Sequence, residues 1–377
     1  MLRYISAGES HGKGLVAVLD GVPAGLKMDL EFINGELRRR MYGYGRGERM
    51  AIEDDTAEIM AGCRKGLTIG SPVGILIKNR DHKIDELPEV KNPRPGHADL
   101  AGIQKYGFKD ARDVLERASA RETASRVAAG AVAKLILKEF GIRILSHVTV
   151  VGDVRAEVEG LSFDQILKLT DEKKSQLRCA DKDAEKKMRE AIDKAANSGD
   201  TLGGAFEVVA DGVPPGLGSY AQWDRRLDGA LARAVMSIPA VKAVSIGNGL
   251  ECAVKKGSEV HDAITYNAAE KAFERSSNNA GGMEGGVSNG EPVVVKGFMK
   301  PIATLGTPMK SVDIDTKKES PASTERADVS AIAACGVVAE SGVALELASV
   351  LLEKFGTDSI REALRSHDAY IKQLKEI

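Results

Sequence analysis

The 377-residue sequence predicts an α/β fold of mixed α+β type, built as one interwoven unit. Three observations carry that prediction. Short β-rich runs closed by glycine or proline alternate with stretches whose apolar residues recur at helical spacing. No low-complexity linker divides the chain and no internal repeat is visible in it. Hydrophobic residues make up 43% of the total, enough for a sizeable core, although length alone would favour two or three domains.

The elements follow in order. Residues 15–20 and 72–78 read as strands. Asp29 is placed to cap a helix running to about Arg40, with Leu30, Ile33 and Leu37 on one face. Residues 119–140 form the strongest helical stretch: Ala124, Ala128 and Ala131 mark a face able to pack closely, and Gly141 supplies a stop. Ser119 followed by Glu122 has the form of a capping box. Residues 142–151 read as a strand, and 181–196 as a lysine- and glutamate-rich helix with its charges toward solvent. Residues 203–210 and 292–299 are further strands. A long alanine-rich helical region covers 328–355, opened by Arg326-Ala327-Asp328.

Charge and cysteine usage narrow the function classes. With 53 basic against 55 acidic residues, the chain has no general attraction for nucleic acid or acidic membranes, so an anionic partner must be met by a local cluster. Cys63, Cys179, Cys252 and Cys335 are scattered without metal-ligand spacing and read as reduced, mostly buried thiols. The N-terminus has no long apolar run, and residues 331–339 are closed by Glu340, too short to cross a bilayer. A cytoplasmic, soluble protein without metal, nucleic acid or membrane partners is expected.

Glycine is the informative excess, with 40 in 377 residues, about 11% against an average usage of about 7%. Two of only six histidines sit in such settings: His11 in GESHG and His97 in RPGHAD. Imidazole titrates nearest neutral pH, so both are candidates for proton transfer at a ligand. His97 and Asp99 could share a cation, but no spaced ligand set accompanies them.

The run RRRMYGYGRGER, residues 38–49, holds five arginines against one acid. Arginine's planar fork suits phosphate and carboxylate, which makes this an anion-binding loop; basic residues completing a helix C-terminus are the alternative. An RNA-binding reading is weakened by the acids Glu53-Asp54-Asp55 that follow. Arg117 and Arg121 flank the start of a helix, a good place for phosphate. The stretch 278–286 has too many glycines for a plain turn, yet it fits neither a Walker loop nor a dinucleotide fingerprint.

Together these segments resemble the chorismate synthase family. GESHG, LRRRMYGYGRGERM, RPGHADL, LERASARETASRVAAGAVAK, SGDTLGG, VPPGLGSYAQWDRRLD, SIPAVKAVSIGNG, NNAGGMEGGVSNGEP, MKPIATL and ERADVSA occur in that family's order, from residue 6 to about 335. The resemblance implies a single-domain β-α-β sandwich over residues 1–377, usually a homotetramer. It implies a lyase that converts 5-enolpyruvylshikimate-3-phosphate to chorismate and phosphate by 1,4-elimination, using reduced FMN without net redox change. An FMN-dependent oxidoreductase or flavin reductase using the same pocket is the competing reading.

The resemblance also implies roles. Arg40, Arg49, Arg94, Ser119, Arg121 and Arg326 match substrate-binding positions, and Arg40 and Arg46 match positions for a nicotinamide reductant, NADPH. Flavin contacts are implied for Arg117, Ala118, Ser119, Pro239, Ala240, Gly285, Lys300, Pro301, Ile302, Ala303, Thr304 and Arg326. His11 resembles the histidine that protonates the flavin or its surroundings. His97 resembles the one that protonates departing phosphate, and Asp328 the carboxylate that assists deprotonation at flavin N5. Ala118 and Pro239 depart from the family's usual residues, at positions where contact is largely through backbone.

Overall fold

The computed structural model describes residues 2–47, 52–325 and 328–377. A four-stranded sheet opens the chain, made of β1 (Arg3–Ala7), β2 (Gly14–Asp20), β3 (Ala57–Ala61) and β4 (Val73–Lys78), in the spatial order β1-β2-β4-β3. A five-stranded sheet follows, from β5 (Arg143–Val151), β6 (Val154–Arg155), β7 (Gly204–Asp211), β8 (Val241–Ile246) and β9 (Val293–Met299), ordered β8-β9-β7-β5-β6. All pairings within the two sheets are antiparallel.

Alternation sets which face is buried. On β2, Leu15, Ala17 and Leu19 point inward and pair with Ile77, Ile75 and Val73 of β4, so six apolar side chains meet the helices. Val16 and Val18 point the other way and are each 39% exposed.

Four helices fill the space between the sheets: α1 (Leu30–Met41), α4 (Thr123–Glu139), α6 (Leu227–Met236) and α7 (Ile332–Phe355). Helix α4 packs on β2 and β4, and α7 on β5, β7 and β9, with α4 and α7 against each other. The result is a β-α-β sandwich. Gly130 of α4 lies where any Cβ would collide with Ser341 of α7, so this crossing requires glycine. Each buried valine or leucine of the layer contributes about 1.5–3 kcal/mol. Helix α7 is the one described helix long and apolar enough to cross a membrane, but its apolar surface is buried within the layer.

Several expected boundaries move. Asp29 caps α1 through Phe32 N, as its position predicts. Ser119 caps only a short 3₁₀ turn by accepting from Arg121 N. Its capping box does not form, because the Glu122 carboxylate pairs with Arg126 one turn on. Asp328 lies four residues before α7 starts, in the extended lead-in. Several helices were not anticipated, among them α2 (Asp99–Tyr106), α3 (Arg112–Ala118), α6 and the C-terminal α8 (Ile360–Leu374), capped by Ser359. The lysine-rich helix is α5 (Lys182–Asn197), capped by Asp181. Cys179 and Cys335 are buried, while Cys63 and Cys252 are only partly so.

Candidate active site

One carboxylate holds the loop between β1 and β2. Glu116 of α3 is 3% exposed. It accepts the His11 backbone N–H at 2.7 Å, and ring Nδ1 lies 2.9 Å from its other oxygen. The Ser10 amide donates to the Glu116 carbonyl. Asn79, just past β4, donates to the carbonyls of Glu9, Ser10 and Gly12 and so fixes the loop from the opposite side. His11 Nε2 faces Asp81 at 3.8 Å. Burial alone would raise the Glu116 carboxyl, but the hydrogen bonds and charge of His11 outweigh it and hold the group below its usual range.

His97 stands on a similar support. Gly96, at φ 79°, makes the turn after Pro95. Asp99 then opens α2 fully buried, where it accepts from Arg94 N at 3.0 Å, Nε at 2.8 Å and Nη2 at 3.0 Å. His97 Nδ1 lies 2.5 Å from Asp99 Oδ1 and 3.0 Å from Arg94 Nη2. Arginine only donates, so the Nδ1 proton belongs on the Asp99 side. That leaves His97 Nε2, which has no recorded partner among the described residues. Burial opposes ionisation of Asp99, yet bonds from His97 and Arg94 hold it far below the ordinary carboxylate range.

The other arginines meet carboxylates too. Asp55 bridges Arg40, at 3.2 Å, and Arg121, at 2.5 Å. Arg40 also donates to Thr123 Oγ1 and the Ala120 carbonyl. Burial brings Arg40 down to about 10, against the opposing pull of Asp55, so it remains charged at neutral pH. Arg121 donates from Nε to Asn79 and lies 3.6 Å from Glu53. Its buried Nη2 has no hydrogen-bond partner. Arg46 pairs with Asp328 at 3.3 Å, and Gly47 N donates to the same carboxylate at 2.6 Å. Val329 N donates to Gly45 O, so residues 45–47 and 328–329 are laced together.

These groups surround one cavity of about 430 Å³. Leu115, Ile238, Met299, Ile302, Ala334 and Val338 give it an apolar wall. Lys300 enters beside Gly96; its ammonium donates to the Pro301 carbonyl at 3.3 Å, and no described carboxylate pairs with it. Burial and nearby Lys242 lower its pKa. Ala240 holds φ 71°, a conformation uncommon for a residue with a side chain, and accepts the Lys300 amide. Among the described residues, no group of three or more His, Cys, Asp or Glu is arranged to hold a metal.

Of the sequence candidates, His11, His97, Asp328, Arg40, Arg46, Arg94, Ala118, Ser119, Arg121, Pro239, Ala240, Lys300, Ile302, Ala303 and Thr304 line this cavity. Arg49 and Arg326 lie outside the described residues. Arg117, Pro301 and Gly285 do not line it: Arg117 reaches back to the carbonyls of Ser6 and Gly8, and Gly285 turns a hairpin elsewhere. The glycines around it, Gly281 and Gly282, let the backbone pass close to Gly247 and Pro292, which explains that cluster structurally. Arg94 differs from its sequence reading, because its fork is occupied by Asp99 and by Thr304 Oγ1. Sequence reasoning missed Glu116, Asp55, Glu53 and Asn79, whose partners are mostly distant along the chain.

The model of the chorismate synthase family matches residues 2–352. Among curated relatives, the chorismate synthase of Acidobacterium capsulatum is 52% identical over 392 residues, covering all of both chains. That of Carboxydothermus hydrogenoformans is 53% identical over 385 residues, covering 99% of each. A solved chorismate synthase crystal structure superimposes with a TM-score of 0.82 at 42% identity, covering 100% of this chain and 99% of the other. The chain therefore belongs to the chorismate synthase family, lyases of aromatic amino acid biosynthesis.

Proposed function

We propose that this chain catalyses the 1,4-elimination of phosphate from 5-enolpyruvylshikimate-3-phosphate, giving chorismate, with reduced FMN bound beside the substrate. The observation that carries the reading is the convergence of two carboxylate-held imidazoles and the carboxylate of Asp328 on one cavity with an apolar wall. The residues present fit a flavin. Ile238, Met299, Ile302 and Val338 offer surface for an aromatic ring system, and Lys300 a cation for an anionic group. When bound, reduced flavin would supply electron density to the substrate's allylic system.

The chain's own groups then have separable tasks. Loss of phosphate creates an oxyanion, and His97 in its doubly protonated form gives it the Nε2 proton, becoming the neutral ring whose Nδ1–H stays bonded to Asp99. His11, steadied by Glu116, is the second proton carrier, facing the flavin. Asp328, kept in place by Arg46 and Gly47 N–H, is the carboxylate that would assist deprotonation at flavin N5. Arg121, with an unused buried N–H group, and Lys300 meet the substrate's phosphate and carboxylates. Arg40 and Arg94 already carry carboxylate partners, so they contribute directed N–H groups more than net charge. Arg49 and Arg326 complete the anion site in this reading.

Residues 118–119, 239–240, 300, 302–304 and 326 belong to the flavin contacts of the same proposal; Arg117, Pro301 and Gly285, which do not line the cavity, enter it on family resemblance alone. NADPH as reductant at Arg40 and Arg46, a homotetramer, and a cytoplasmic location are proposed on family resemblance, as is the lack of nucleic-acid and membrane partners. The oxidoreductase alternative is not favoured, since the curated relatives carry the chorismate synthase name. Anaerobic incubation with chemically reduced FMN and substrate tests the proposal. Chorismate and phosphate should form in equal amounts. Folded protein that yields neither, or that oxidises substrate without releasing phosphate, overturns it.

A further inference from the structure

We infer that Glu116 is the positioning residue for His11, fixing the imidazole with its proton on Nδ1 and so deciding which ring nitrogen is available for proton transfer. The inference deepens the proposed function and rests on it for the role of His11.

Two independent bonds from one residue reach the same carboxylate. The His11 backbone N–H donates to Glu116 Oε2 at 2.7 Å, and ring Nδ1 lies 2.9 Å from Oε1 and 3.2 Å from Oε2. One side chain thereby sets both where the loop sits and how the ring is turned. A carboxylate accepts only, so Nδ1 must be the donor. The Glu116 side chain is 2% exposed and that of His11 13%, which leaves little water to offer the ring another partner.

The support is itself braced. Arg112, one turn earlier on α3, approaches Glu116 at 3.6 Å and pairs with Glu325 at 3.1 Å on the segment leading to Asp328. Arg112 Nη1 is buried without a hydrogen bond, so toward Glu116 it acts as a charge. From the other side, Asp81 lies 3.8 Å from His11 Nε2 and pairs with Lys83 at 3.1 Å. Among the described residues, the charged groups facing His11 include Glu116 from α3 and Asp81 from the loop after β4, backed by Arg112 and Lys83.

A plain structural role for Glu116 would tie down the loop without selecting a tautomer. The distinction is measurable. In flavin-free protein labelled with ¹⁵N-histidine, at a pH where the ring is neutral, His11 is expected as the Nδ1–H tautomer; the assignment comes from the signal lost in His11→Asn. Glu116→Gln keeps one acceptor but presents an amide N–H where the second stood, so the ring should lose its single tautomer. In turnover, kcat should fall about 10- to 100-fold, less than the roughly 100- to 10,000-fold that a general acid–base group itself supplies, because Glu116 acts through His11. KM and reduced-FMN affinity should stay within about twofold. Glu116→Asp, which restores the carboxylate, should recover part of the kcat.

A wild-type His11 found mainly as the Nε2–H tautomer overturns the inference, even where Glu116→Gln fails to fold. So does a Glu116→Gln enzyme with the wild-type tautomer and kcat within twofold, or one that loses flavin affinity and kcat equally. Wild-type protein that makes no chorismate would sink the proposed function instead, leaving the tautomer measurement to decide the geometry.

Discussion

Two buried clusters of charge use the same residue types for opposite ends. Inside the helical layer, Glu340 of α7 is completely buried and accepts from Arg39 at 2.7 Å, Ser146 at 2.6 Å and the Lys134 ammonium, with Arg178 at 3.5 Å. Glu36 binds the same Arg39 and Lys134. Both oxygens of Glu340 are matched, and the cluster ties together α1, α4, α7 and β5. Around the cavity, Arg94, Arg121, His11 and His97 also have buried carboxylate partners, and Arg94 is fully engaged; His97 bonds only through Nδ1, and Arg121 Nη2 makes no hydrogen bond among the described residues, meeting only Glu53 at 3.6 Å. In the interior cluster the central carboxylate is saturated and the leftover donor, Arg178 Nε, does not line the cavity; at the site the unbonded groups line it, which prepares them for a ligand.

That contrast is open to direct tests. The largest expected effect is on the closed cluster. Glu340→Leu leaves Lys134, Arg39 and Arg178 without their shared anion and should cost about 3–5 kcal/mol of stability. Urea unfolding measures it, and a loss below about 1 kcal/mol would mean that the layer does not depend on this pair.

At the cavity the effect should move from stability to rate. His97→Ala removes only the ring, leaving Arg94 and Asp99 paired, so unfolding should change little. Turnover should fall about 100-fold or more, with flavin affinity hardly altered. Equal losses of turnover and flavin binding would remove the proton-transfer role.

The smallest effect separates the clusters by acid. Glu340 and Asp99 both ionise well below their ordinary values of 4.5 and 3.8, despite burial that works the other way. A depressed folded-state pKa stabilises fully above the unfolded value and is lost as pH falls toward the folded one. Wild-type thermal stability should therefore be level near neutrality and decline below about pH 5. Asp99→Asn should flatten part of that decline, and an acid limb identical to wild type would show that the Asp99 contacts carry no such linkage.

The fold was legible where local rules suffice. Short β-rich runs closed by glycine or proline gave β2 and β4, the Asp29 cap gave the start of α1, and small residues at helical spacing gave the packed face of α4. Helices α3 and α8 were passed over, although Ser359 and Glu362 carry a cap signal for α8. The Ser119 capping box failed because Arg126 offered Glu122 a stronger, charged partner. Glu53 and Asp55 weighed against RNA binding in the sequence; folded, they are the buried counterions of Arg40 and Arg121.

The sequence by itself determined the family, the positions of the main strands and helices, and the candidacy of His11 and His97, because glycine-flanked histidines have no packing explanation. Only the tertiary structure decided which charges remain unused. Glu116 lies 105 residues from His11, and Asp55 lies 66 residues from Arg121. Ionic pairing falls off steeply with distance in space, and distance along the chain says nothing about it. An arginine that reads as a free anion site in the sequence is a neutralised brace once its carboxylate has folded against it.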